Sequence, residues 1–194
     1  MAHDPTKLPD SLPRPVDDGA AAHLAGAALP AVPLRSTAGG FVDLAGESRT
    51  RRVVVFIYPR TGQPGVESPD GWDAIPGARG CTPQACGFRD LSQEFAALQT
   101  TIYGLSTQDT AYQQEAATRL QLPFALLSDE QLALTTALGL PTFEVDGMTL
   151  LRRMSLVIED GRISHVLYPV FPPDRSARDV LDLIAGGAAA DIGR

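Results

Sequence analysis

Val53-Val54-Val55-Phe56-Ile57-Tyr58 is an unbroken apolar run, β-branched and aromatic throughout, and it predicts a central strand buried on both faces. Pro59 closes it. Phe41 to Leu44 alternates after Gly39-Gly40 and predicts a short strand. Phe88, Leu91, Phe95 and Leu98 recur at helical spacing, so a helix is expected to open at Gly80 or Thr82 with Pro83 in its first turn. Thr101–Ser106 reads as the next strand, Asp109–Leu120 as a polar helix, and Pro123–Leu127 as a short strand. Ser128-Asp129 then caps a helix through Leu138. Met154–Glu159 and Ile163–Tyr168 flank Asp160-Gly161, a strong hairpin signal. Pro172-Pro173 precede a last helix, Asp174 to Ile184, expected to end at Gly186-Gly187. Strands alternating with helices, then a hairpin and a helix, predict an α/β fold with a central mixed β-sheet flanked by helices.

Outside these elements the pattern weakens. Residues 1–33 are rich in Pro, Ala, Asp and Gly and read as a partly extended N-terminal arm, with one helical turn near His23. Residues 34–187 form the expected domain, with a Gly/Pro/Asp loop at about 60–80, and 188–194 a tail. Loops this long in compact domains tend to be functional or mobile. Sixteen Lys and Arg against 23 Asp and Glu give a net charge of −7, which disfavours nucleic acid and anionic membrane as partners. No stretch reaches the roughly 18–20 apolar residues of a membrane span, and no secretory signal opens the chain. The chain reads as cytoplasmic. Its two cysteines lie close together without nearby His or carboxylate partners, so in a reducing compartment redox chemistry is expected ahead of metal binding. No metal or cofactor is expected.

Gly80-Cys81-Thr82-Pro83-Gln84-Ala85-Cys86 puts one thiol at a predicted helix N-terminus and another five residues on. Free N–H groups and the positive dipole end favour a thiolate, the reactive form, which suits Cys81 to be a nucleophile. Cys86, one turn deeper, is then the partner that captures an oxidised Cys81. Five residues of α-helix separate Cα atoms by about 8–9 Å, whereas a disulfide needs about 4.4–6.8 Å. Bonding the two therefore requires the first turn to unwind. The competing reading is two incidental buried thiols.

Around these cysteines the sequence resembles the peroxiredoxins, above all the Q-type (bacterioferritin-comigratory) branch. Phe56-Ile57-Tyr58-Pro59, Gly80-Cys81-Thr82, Cys86, Phe88-Arg89-Asp90, Tyr103–Ser106, Pro123-Phe124, Leu127–Asp129 and Arg153–Ile158 fall in family order. The resemblance implies a thioredoxin-like fold and reduction of hydrogen peroxide or organic hydroperoxides. It makes Cys81 peroxidatic, Cys86 resolving through an intramolecular disulfide, and Arg153 the arginine beside the thiolate. It also implies recycling by thioredoxin or a similar dithiol, in a monomer or homodimer. Tyr58 and Pro59 hold the family's strand end and are candidate substrate-binding residues. Where the family carries a threonine three residues before the peroxidatic cysteine, Ala78 stands here. Thr61 is the first candidate to supply that hydroxyl, and Thr82 the second. Of Arg152 and Arg153, which precede a strand, only one can face the site. Arg89, Trp72 and His165 are weaker candidates, read mainly as helix-packing, loop-anchoring and exposed residues. A thioredoxin-fold redox sensor or binding protein with little peroxidase turnover is the alternative function.

Overall fold

The computed structural model describes Leu8 and residues 12–191. Its strands are β1 (Pro33–Ser36), β2 (Phe41–Asp43), β3 (Arg52–Ile57), β4 (Thr100–Ser106), β5 (Leu126–Ser128), β6 (Thr142–Val145), β7 (Met148–Leu151), β8 (Met154–Glu159) and β9 (Arg162–Leu167). Its helices are α1 (Leu44–Glu47), α2 (Cys81–Asp90), α3 (Ser92–Ala97), α4 (Thr110–Arg119), α5 (Ala133–Leu138) and α6 (Ser176–Asp191), with 3-10 turns at Ala22–Leu24, Trp72–Ala74 and Pro173–Arg175. Seven strands form one mixed sheet in the order β2-β1-β5-β4-β3-β8-β9. β3, β4 and β5 run parallel; β8 pairs antiparallel with β3 and β9 antiparallel with β8 on one side, and β1 pairs antiparallel with β5 and β2 antiparallel with β1 on the other.

β3 explains the layering. Its period of two sends Val53, Val55 and Ile57 into one core cluster, with Leu24, Leu29, Leu134 and Leu138. Val54, Phe56 and the following Tyr58 go into a second, with Cys81, Phe88, Phe95 and Val180. A strand with both faces covered has no polar face to show, which is why its sequence does not alternate. Gly104 on β4 lets the second core close: a Cβ there would stand 2.5 Å from Leu126 Cδ2 and 2.7 Å from Phe56 Cζ.

Several boundaries differ from the sequence expectations. The predicted strand Phe41–Leu44 gives up Leu44 to α1, where the Asp43 carboxylate accepts from the Ala45 N–H and caps the turn. The strand expected at Pro123–Leu127 pairs only over Leu126–Ser128. The helix after Gly80 is divided at Leu91 into α2 and α3. The last helix does not stop at Gly186-Gly187 but runs to Asp191. Glycine costs about 1 kcal/mol in a helix interior without forbidding it, and alanines follow. Finally, β6 and β7 make a separate two-stranded hairpin that the hydrophobic pattern does not single out. Its Asp146-Gly147 turn has both residues at positive φ, like Asp160-Gly161, but its strands are short and largely half-exposed.

Residues assigned to the arm contribute core from Ala21 onward, with Leu24 fully buried. The Gly26 N–H donates to the Ile163 carbonyl and the Leu29 N–H to that of Gly161, both at 2.8 Å. Among the described residues no helix is long and apolar enough to cross a membrane.

Candidate active site

Cys81 is the first residue of α2, and Gly80 before it has φ 105°. An added Cβ at Gly80 would stand 2.3 Å from Pro173 Cγ, so both conformation and space at this position require glycine. The first backbone bond of the helix is Gln84 N–H to Gly80 carbonyl. Because Pro83 has no N–H, the free intrahelical donors of the first turn are those of Cys81 and Thr82.

The sulfur lies in the second core cluster, only 4% exposed. Arg153 Nη2 donates to Cys81 Sγ at 3.2 Å, and the Ala78 carbonyl lies 3.6 Å from the same sulfur. Arg153 is 3% exposed. Its other partners are the carbonyls of Gly77 (3.2 Å), Ala78 (3.0 Å) and Arg79 (3.2 Å) and the Gln84 side-chain oxygen. Among the described residues no carboxylate forms an ion pair with it. A buried cation ringed by neutral acceptors is costly unless an anion comes to it. The sulfur is the one bonded group able to become that anion.

Arg152 faces the other way. It donates to the Thr142 carbonyl and to Asp18, and reaches Tyr168 Oη. The two arginines lie between β7 and β8, and the expectation that only one faces the site agrees with this arrangement. Gln84 and Ser176 are site residues that sequence reasoning missed. Gln84 Nε2 donates to Ser176 Oγ at 3.2 Å, and Ser176 Oγ lies 3.1 Å from Ser155 Oγ. All three side chains are buried, so one polar chain links the arginine, α2, α6 and β8. The available signal was Gln84, three residues after Cys81 and therefore on the same side of the helix.

Tyr58 reaches the same cluster as Cys81. Burial raises its phenol well above the ordinary value, and the nearby Cys81 adds to the shift. Its hydroxyl donates to Gln113 Oε1 at 3.0 Å. The Pro59 carbonyl accepts from Ser106 Oγ at 2.9 Å, fixing the strand end. Thr61 is buried and bonds to Gln108. Its hydroxyl donates to Gln108 Oε1 at 3.1 Å, its N–H donates to the same oxygen at 2.9 Å, and its carbonyl accepts from Gln108 Nε2. The long loop spends that threonine on anchoring itself.

Cys86 is half-buried on the same helix, and both thiols are free. Burial pushes the Cys86 thiol up, partly offset by Arg89. Arg89 donates to the Leu120 carbonyl and pairs with Asp90. Trp72 is buried with Ala78 and Leu150 and lies 6.3 Å from the Phe143 ring, an anchor for the loop. His165 is exposed. His23, in the arm, holds the Leu138 carbonyl through Nε2 at 2.9 Å.

The family model described as Redoxin matches residues 24–182. Peroxiredoxin Q, chloroplastic, from rice (Oryza sativa subsp. japonica) is 29% identical over 159 residues, 82% of this chain and 65% of the rice protein. The chain thus spans just under two-thirds of that relative's length. The corresponding protein of Populus jackii is 29% identical over 160 residues, 82% of this chain and 67% of its own. The crystal structure of peroxidoxin BcpB from Mycobacterium tuberculosis superposes with a TM-score of 0.68 at 26% identity, covering 84% of this chain and 96% of that one. PrxQ from Xylella fastidiosa gives 0.68 at 19% identity, a likeness of fold. The mixed sheet with flanking helices is accordingly the thioredoxin-like fold expected from the sequence. With the family model spanning most of the residues and these relatives beside it, the chain belongs to the redoxin family, among the Q-type peroxiredoxins.

Proposed function

We propose that the chain is a thiol peroxidase in which Cys81 attacks a hydroperoxide and Cys86 resolves the product. The thiolate sulfur displaces on the nearer peroxide oxygen: an S–O bond forms, the O–O bond breaks, and an alkoxide or hydroxide leaves and takes a proton from water. Cys81 is thereby oxidised to a sulfenic acid and the peroxide reduced to an alcohol or water. The Cys86 thiolate then attacks the Cys81 sulfur. An S–S bond forms and the sulfenic oxygen departs as water. A thioredoxin-like dithiol restores both thiols by exchange and leaves as its own disulfide.

The observation that carries this reading is the buried Arg153 guanidinium bonded to the Cys81 sulfur, with no carboxylate partner among the described residues. It can donate to the peroxide oxygen as charge moves onto the leaving group. Tyr58, packed in the same core cluster as Cys81, and Pro59, whose carbonyl Ser106 holds, are assigned to the substrate side of the sulfur, while Thr61 holds the loop through Gln108. The scheme places both cysteines in one chain, so a monomer or a homodimer serves alike, with no metal or cofactor. It requires a reducing compartment, which the cytoplasm supplies.

The test is consumption of hydrogen peroxide coupled to thioredoxin, thioredoxin reductase and NADPH, with mass spectrometry of the peroxide-treated protein. Repeated turnover is expected, with a Cys81–Cys86 disulfide in the wild type and a trapped sulfenic acid on Cys81 in Cys86→Ser. A single oxidation without turnover would identify a redox sensor instead.

A further inference from the structure

Arg153 also borders a cavity of about 360 Å³ that Cys81 does not line. The guanidiniums of Arg14, Arg152 and Arg153 all line it, against the carboxylate of Asp18. In a chain of net charge −7 this is a local reversal of sign. The carboxylate is already committed: Asp18 Oδ2 accepts from Arg152 Nη1 and Oδ1 from Tyr168 Oη, each at 2.9 Å. Arg14 sits 5.0 Å over the Phe171 ring, and among the described residues no carboxylate pairs with it or with the buried Arg153. Arg153 Nη1 has two N–H bonds and gives one to Gln84. The other has no acceptor among the described residues.

Between the charged groups the lining is apolar. Ile75 and Phe143 contribute surface from the loop and from β6, and Pro15 and Val16 from the arm. Pro15 lies over Gly77, where an added Cβ would stand 3.6 Å from the ring. Val16 is 79% exposed and marks the rim. The size suits a small molecule, the guanidinium fork suits a carboxylate, and the apolar lining suits a hydrocarbon body. We infer that this cavity binds a small amphipathic carboxylate, with its head on Arg153 and its body against Ile75 and Phe143. Arg14 adds to the attraction from the rim. The inference does not need the peroxidase reading, but it bears on the same sulfur. Arg153 bonds Cys81 Sγ at 3.2 Å, and a second anion on that guanidinium disfavours ionisation of the thiol.

Calorimetry on the full reduced chain compares hexanoate with hexanamide, which lacks the charge, and with acetate, which lacks the body. Hexanoate is expected to bind about ten-fold tighter than either, the effect of one charge-assisted bond or a few buried methylenes. Arg14→Gln and Val16→Asp alter exposed residues and leave the core closed. Each should weaken hexanoate about five-fold, by removing a cation or adding an anion at the rim. No binding, or hexanoate bound no better than hexanamide or acetate, overturns the site, as does unchanged affinity in both variants. In Cys86→Ser, saturating hexanoate should slow alkylation of Cys81 by iodoacetamide about three-fold. An unchanged rate would show that the head does not sit on Arg153. None of these readouts uses peroxide, so their failure leaves the peroxidase reading standing, and failure of peroxide turnover leaves the site standing.

Discussion

Arg153 is the residue on which the site turns, because its charge, burial and geometry all act on one sulfur. A lysine in its place keeps the charge but loses the planar fork that reaches Gly77, Gln84 and Cys81 together. Arg153→Lys is therefore expected to lower kcat/KM for peroxide by about 10²-fold, measured by stopped-flow, with less effect on disulfide exchange. In the proposed scheme Cys86 carries the pH dependence of the second step. Its thiol is pushed up by burial, so at neutral pH it ionises less than an ordinary cysteine. Disulfide closure after a peroxide pulse should accelerate steadily from about pH 7 to beyond pH 9, without an early plateau. A plateau near neutrality would contradict the assignment. The sign for stability is opposite: the unfolded chain gives up that proton first, so the reduced fold weakens as pH climbs past the ordinary thiol value.

At the scale of elements, α2 is held in a shape that the disulfide cannot share. Both cysteines lie within one continuous helix, Cys81–Asp90, and helical spacing keeps their Cα atoms about 8–9 Å apart. Oxidation should unwind the first turn, seen as faster amide exchange across residues 81–86 in the disulfide form than in the reduced form. Equal protection in both would remove the proposed conformational step. The junction before α2 is equally constrained. Gly80→Ala puts a Cβ where Pro173 stands and at φ 105°, and it is expected to cost about 2 kcal/mol in chemical denaturation. The same displacement moves Cys81 away from Arg153, so peroxide reduction should slow as well.

For the whole molecule, the arm and the last helix matter as much as the central strands. Leu24 enters the first core cluster from the arm, and Leu24→Ala should destabilise the protein by about 2–5 kcal/mol in equilibrium unfolding. An arm that merely trailed from the surface would leave stability unchanged. At the other end, Ser176 of α6 joins the polar chain that runs from Arg153 through Gln84 to Ser155. The site is thus assembled by segments that span most of the chain's length.

Legibility followed the range of the interactions. The doubly buried β3, the Asp160-Gly161 hairpin and a cysteine opening a helix after glycine were readable because their signals are local: an apolar run, a turn dipeptide, a cap. The β6–β7 hairpin escaped because half-exposed strands carry little hydrophobic pattern, and Leu44 left its predicted strand because the Asp43 cap outweighed alternation. What no local signal encodes is which groups meet at a distance. That Arg153 and not Arg152 turns to the sulfur, that Thr61 is taken by Gln108, and that the arm lies over Gly77 are set by how separate segments pack together. The sequence alone determined the thiol at the helix start and the doubly buried strand beside it. Tertiary structure decided its partners, because hydrogen-bond geometry between residues dozens of positions apart exists only once the sheet and its helices have closed.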